Sequence, residues 1–199
     1  MRPSTATGLV LVTIAMVAAC TTTGPSQPDE ERRATELSMD PEGFDLVEEC
    51  AATDRGYVMP YPEDWHADAE CTRFHPAPID DDLAEGEIAV ALRVVADRSP
   101  EQLHEELTRL ADTILADDRR PAADGREARV VELVAGPHGG TLWPRGARVT
   151  VTLIDAGTHS LAMMTSDQVA DLEPGGYDLA LRAHTQMRRE LVWGEDAGH

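Results

Sequence analysis

The segment 87–96, Glu-Ile-Ala-Val-Ala-Leu-Arg-Val-Val-Ala, is the strongest constraint on what this chain can fold into. Side chains alternate along an extended strand, so Ile88, Val90, Leu92 and Val94 share one face. The opposite face carries Ala89, Ala91 and Val95 and is mostly small or apolar as well. A strand largely apolar on both faces calls for cover on both sides. The sheet that holds it is therefore expected to lie between layers.

Two amphipathic segments could supply those layers. Ser99-Pro100-Glu101-Gln102 reads as a helix start, with Ser99 as cap, Pro100 in the first turn and Gln102 closing a capping box. Leu103, Leu107, Leu110, Ile114 and Leu115 follow at helical spacing, which predicts a helix over 100–117. Arg119 and Arg120 then suit its C-terminal end, and Pro121 stops it. A second helix is predicted over 176–191, with Tyr177, Ala180, Leu181, His184, Met187 and Leu191 on one side. His184 in that stripe reads as a packed histidine, not a ligand.

Between the helices, strands are predicted around 128–134, over 147–154 and over 160–165. Asp155-Ala-Gly-Thr158 makes a hairpin turn, so the three form an antiparallel meander. Earlier, 56–65 reads as a strand running into a turn, with Tyr57, Met59 and Tyr61 alternating and Pro60 and Pro62 favouring an edge. Cys71-Thr-Arg-Phe-His75 reads as a short return strand, followed by an acidic loop around Asp80–Glu87.

This order of elements, with Tyr61-Pro-Glu-Asp-Trp65 after an aromatic strand and Gly125-Arg-Glu-Ala128 opening the meander, resembles the PsbP-like family. Within it the chain resembles the small actinobacterial lipoproteins of the LpqN type. The resemblance spans about residues 50–193. It implies an α+β fold, a central antiparallel sheet flanked by helices in an α/β/α sandwich. Family members are mostly accessory or interaction proteins and not enzymes, and they serve systems as different as a photosystem and a nuclear GTPase. No partner-binding motif of either system is present, and fold alone does not transfer function.

The amino terminus gives an address. The apolar run 8–19 is too short to span a bilayer, which needs about 20 residues. It ends in Val17-Ala18-Ala19-Cys20, a lipobox that reads as cleavage before Cys20 and lipidation of its sulfur. Residues 1–19 are then a signal peptide, 20–43 a lipidated cysteine and polar, Pro-containing tether, and 44–199 one domain. Several acyl chains anchor stably where one does not. The expected place is extracytoplasmic, tied to the cell membrane. The chain lacks lysine and asparagine, a GC-rich codon pattern that points to an actinobacterium.

With Cys20 acylated, Cys50 and Cys71 remain, an even pair in an oxidising compartment. Their disulfide would be worth about 3 kcal/mol in the chain-entropy model. A zinc site using Cys50, Cys71, His66 and His75 is the competing reading, but its spacing matches no zinc pattern.

The formal net charge of -20 disfavours nucleic acid and anionic headgroups and favours a basic partner or a cation. Asp80, Asp81 and Asp82 with Glu85 and Glu87 offer oxygens to calcium but lack the EF-hand order. No nucleophile elbow, phosphate loop, dinucleotide motif or metalloprotease helix is present, and Ser99, Ser160 and Ser166 have no triad context. No catalytic residue, cofactor or metal is assigned. The loop 137–145 is the best recognition candidate, because Trp143 and Arg145 are residue types enriched at binding hot spots. The alternative is that Leu142 and Trp143 fold back on the sheet. The expected function is a non-catalytic envelope module that docks on another envelope protein. A carrier of a lipid or other hydrophobic small molecule, lined by Met163, Met164, Tyr57, Met59 and Tyr61, is the second reading.

Overall fold

The computed structural model describes residues 45–80, 83–138, 142–170 and 176–193. The signal, Cys20 and the tether lie outside the described residues. In chain order the elements are β1 (Leu46–Ala52), β2 (Tyr57–Pro62), β3 (His66–Ala67), β4 (Arg73–His75), β5 (Val90–Ala96), α1 (Pro100–Leu110), β6 (Ala111–Pro121), β7 (Glu127–Ala135), β8 (Arg148–Asp155), β9 (His159–Ser166), α2 (Gly176–Glu190) and β10 (Val192–Trp193). Short 3-10 turns occupy Glu85–Glu87 and Ala123–Gly125.

Seven strands form one antiparallel sheet in the order β3-β4-β5-β9-β8-β7-β6, and β1-β2-β10 form a second. The predicted meander is β7-β8-β9, and β5 joins it by pairing along β9 from Ala91↔Met164 to Ala96↔His159. Both faces of the large sheet are covered, as the apolar β5 requires. On one face Val131, Leu133, Val149, Val151 and Leu153 pack with Leu103 and Leu107 of α1. On the other, Val90, Leu92, Ile154, Leu161 and Met163 pack with Ala180, Ala183 and Met187 of α2 and with Tyr57 and Met59 of β2. A buried Leu or Met side chain contributes about 1.5–3 kcal/mol, so each face holds its own layer in place. The fold is thus mostly antiparallel sheet with two helices among the described residues. It matches a sandwich in part: the second face shares its cover between α2 and the small sheet.

The helix predicted over 100–117 is corrected. Ser99 does cap it, with Gln102 N–H donating to Ser99 Oγ at 3.4 Å and Ser99 N–H to Gln102 Oε1 at 3.0 Å. It ends at Leu110, however, and Ala111–Pro121 becomes β6, paired with β7 from Ala111↔Ala135 to Pro121↔Glu127. Two irregularities, between Ala111 and Thr113 and between Ile114 and Ala116, mark where the ladder absorbs extra residues. The helix-to-strand corner needs Gly136: its N–H donates to Leu110 O at 2.8 Å, and a Cβ there would stand 2.9 Å from the same oxygen. The basic residues that suited a helix end pair across the strands instead. Arg119 reaches Glu127 at 3.2 Å, and Arg129 grips Asp117 at 2.8 and 2.7 Å. The Arg129 guanidinium holds the Asp117 carboxyl below the usual range, aided by His104 of α1 at 3.0 Å. A charged edge strand also discourages pairing with another chain.

Candidate functional site

Cys50 and Cys71 form a disulfide, with Cα atoms 5.6 Å apart. It ties β1 to the loop before β4. Asp68 braces that loop, accepting from Thr72 N–H at 2.7 Å, Thr72 Oγ1–H at 2.7 Å and Arg73 N–H at 3.1 Å. Tyr57 donates its hydroxyl to Cys71 O at 2.9 Å. The zinc alternative loses its ligands: both sulfurs are bonded and His66 is exposed. His75 is buried, with Nδ1 accepting from Ala77 N–H at 3.0 Å and Nε2 free to donate to Ala170 O at 3.1 Å.

The recognition loop divides. Arg145 is exposed. Trp143 is 3 % exposed and packs in the α1-side core, where its ring closely approaches Gly86. The ring thus fills the gap between the loop and the Glu85–Glu87 turn, and the reading of Trp143 as a surface anchor is corrected to a core role. Residues 139–141 of the loop lie outside the described residues.

In the acidic loop, Asp81 and Asp82 lie outside the described residues. Glu85 is paired with Arg93, and Glu87 accepts from Ala84 N–H at 2.8 Å. An open hollow of about 290 Å³ beside this turn is lined by Thr72, Arg73, Leu83, Glu85 and Arg93. Its cations are engaged: Arg73 donates to Leu83 O at 2.7 Å, and Arg93 pairs with Glu85. Among the described residues no group of three or more His, Cys, Asp or Glu side chains could hold a metal ion.

A polar band runs under α2. His184 is 1 % exposed and lies between Thr152 Oγ1 at 2.7 Å and Thr165 Oγ1 at 2.9 Å. Thr165 spends its one hydroxyl proton on Ala89 O at 2.8 Å, so toward His184 it accepts. The ring proton is therefore on Nδ1, and Nε2 accepts from Thr152. Burial, with Arg188 adding to it, pushes His184 down to about 3, so the ring is neutral. Beside it Tyr177 meets Thr150 Oγ1 at 3.2 Å under the Arg148 guanidinium, which pairs with the buried Glu132. Burial pushes the Tyr177 phenol up to about 12. These groups satisfy one another, which registers α2 on the sheet. Ser160 and Ser166 likewise donate to backbone carbonyls, of Arg98 and Gly86.

The small sheet has a different character. Its row Ala52↔Tyr57↔Trp193 turns inward to the core. The next row, Ala51↔Val58↔Val192, therefore faces out. Val192 is 51 % exposed, Val47 on β1 is 57 % exposed, and these are the large exposed hydrophobics among the described residues. Glu48 and Glu49 stand exposed beside Val47. Isolated valines in mixed segments gave no signal in the sequence; the pairing of β1 and β10 with β2 brings them onto one sheet.

No family model matches the chain, and no curated protein matches it. Solved structures of similar fold include the Ran-binding protein Mog1p of Saccharomyces cerevisiae, 12% identical with a TM-score of 0.46, covering 76% of this chain and 98% of that one. A Mog1 point mutant aligns at 12% identity and a TM-score of 0.46, over 75% of this chain and 97% of that one. The solution structure of PsbP (CyanoP) from the cyanobacterium Synechocystis aligns at 11% identity and a TM-score of 0.43, over 78% and 96%. The likeness is one of fold.

Proposed function

We propose that this chain is a lipid-anchored accessory protein of the cell envelope, of the LpqN type within the PsbP-like proteins, whose domain docks on another envelope protein. Cys20 is its anchor, held outside the cytoplasm. The observation that carries the docking reading is the outer side of the small sheet, where Val192 stands exposed in the outward row Ala51↔Val58↔Val192 and Val47 stands exposed on β1 outside that row. Exposed apolar surface marks an interface where it is contiguous, so the reading requires the partner to bridge Val192 and Val47. Its acidic neighbours Glu48 and Glu49, on a chain of net charge -20, suit a partner whose apolar patch has a basic rim.

The side chains that a carrier would use favour docking over carriage. Tyr57, Met59 and Met163 are 1 %, 0 % and 0 % exposed and lie in one core with α2, Tyr61 is half-buried against it, and Met164 lies in the core on the opposite face of the sheet, so the five do not line one pocket. The polar groups beside them satisfy one another, which supports a non-catalytic role.

The test is a photo-cross-linking residue at position 192, or at exposed position 145 as control, in cells. A discrete protein adduct from 192 that is lost in Val47→Asp supports the reading. Equal adducts from both positions would overturn it.

A further inference from the structure

Among the described residues, three buried side-chain nitrogens have no hydrogen-bond partner: His159 Nε2, Arg188 Nε and Trp193 Nε1. All three fall at one end of the domain. His159 opens β9 after the 155–158 hairpin, Arg188 is in the last turn of α2, and Trp193 closes β10. The turn Ala123–Gly125 touches both α2 and β10 there. The Trp193 and His159 rings are 6.5 Å apart, and the Arg126 guanidinium lies 4.9 Å over Trp193 while donating to Asp155 O at 2.6 Å.

Arg188 is the unusual member. It lies four residues beyond His184, on the same inward face of α2, and is 5 % exposed. A buried guanidinium is normally paired, because an uncompensated buried charge is costly. The chain has 37 acidic residues, yet none forms an ion pair with Arg188 among the described residues. Its charged neighbours are instead Arg189 and Arg120, and burial together with those two holds it down to about 10. Arg120 is itself tied to Asp118 at 3.0 Å, which fixes it at the edge of the cluster. Of the acids on the neighbouring turns, Asp155 accepts from Gly157 N–H at 2.8 Å, and Asp124 stands exposed at the surface.

We infer that this end of the domain binds a small oxyanion, a phosphate or a carboxylate, with Arg188 as its charge partner and Arg120 at the rim. Arginine is the side chain best matched to such groups, since its fork of donors fits two oxygens at once. The overall charge of -20 argues for a free anion over a bilayer headgroup, because a whole anionic surface would be repelled while a single small ion meets the local arginine field.

The purified protein is titrated with inorganic phosphate and with acetate against sodium chloride at matched ionic strength, following tryptophan fluorescence and Tm. Saturable binding of either oxyanion, weakened at least about tenfold in Arg188→Gln and unchanged in Arg145→Gln, is the expected result. Responses equal to those of chloride, or identical in wild type and Arg188→Gln, would overturn the inference. If Arg188→Gln fails to fold, Arg120→Gln decides: several-fold weaker binding supports the site and unchanged affinity refutes it. Co-sedimentation with phosphatidylglycerol vesicles separates the sources. Arg188-dependent capture would assign the anion to a headgroup, and phosphate binding without capture assigns a free ion.

Discussion

Replacing His184 by glutamine removes a deeply buried titrating group, and the effect on stability can be worked out as a function of pH. In the folded protein His184 sits near 3, against an ordinary value of 6.5. Below pH 6.5 the unfolded chain therefore binds a proton at this position that the folded chain refuses. The stabilisation from keeping the ring neutral is complete above pH 6.5 and is lost as the pH falls toward 3, at about 1.4 kcal/mol per pH unit. At pH 4.5, two units below the ordinary value, the loss is about 3 kcal/mol. The assay is urea unfolding of wild type and His184→Gln at steps from pH 8 to pH 4.5. The glutamine variant is less stable at neutral pH, since Thr152 and Thr165 lose their shared partner. The gap between the two proteins should then shrink by about 3 kcal/mol on acidification. A gap that stays constant across this range would mean that His184 titrates normally when folded, and the proposed hydrogen-bond assignment would fail.

Further outcomes follow from the packing. Replacing both Cys50 and Cys71 by serine should lower stability by about 3 kcal/mol, read as a loss of Tm that reductant reproduces in wild type. Trp143→Ala should cost about 3–5 kcal/mol and act as an unfolding variant, measured by denaturant melts; a fully stable Trp143→Ala protein would return the residue to the surface. Gly136→Ala should destabilise measurably, because its Cβ would stand 2.9 Å from Leu110 O, and an unchanged Tm would show that the α1–β6 corner can yield. Val192→Asp should leave the unfolding free energy within about 0.5 kcal/mol of wild type while abolishing partner cross-links.

Elements governed by local pattern could be read from the sequence. The Ser99–Gln102 capping box, the 155–158 hairpin and the alternation in β8 need few distant contacts, and each appears where its residues direct. The two-faced apolar strand β5 correctly demanded cover on both sides. The second half of the predicted 100–117 helix failed because Leu110, Ile114 and Leu115 satisfy helical spacing while the pairing of β6 with β7 depends on residues downstream. Tertiary pairing won over a periodic pattern there. β1 was missed because Glu48 and Glu49 interrupt any alternation, and its place depends on β2 and on the Cys50–Cys71 bond. Of the candidate site residues, Trp143 misled because an aromatic in a Gly-rich loop looks alike whether it faces outward or inward. Val47, Val192 and Arg188 acquire meaning only from the small sheet and from the end of α2, both products of long-range contacts. Arg188 left one trace: it stands four residues after His184 and so falls on the buried stripe of its helix.

The most direct test of a docking module with a filled core is native mass spectrometry of the protein purified from its own envelope. The expected mass is that of the mature polypeptide with its covalent anchor and no additional noncovalent lipid. A discrete, lipid-sized added mass that survives desolvation would contradict it and make the domain a carrier.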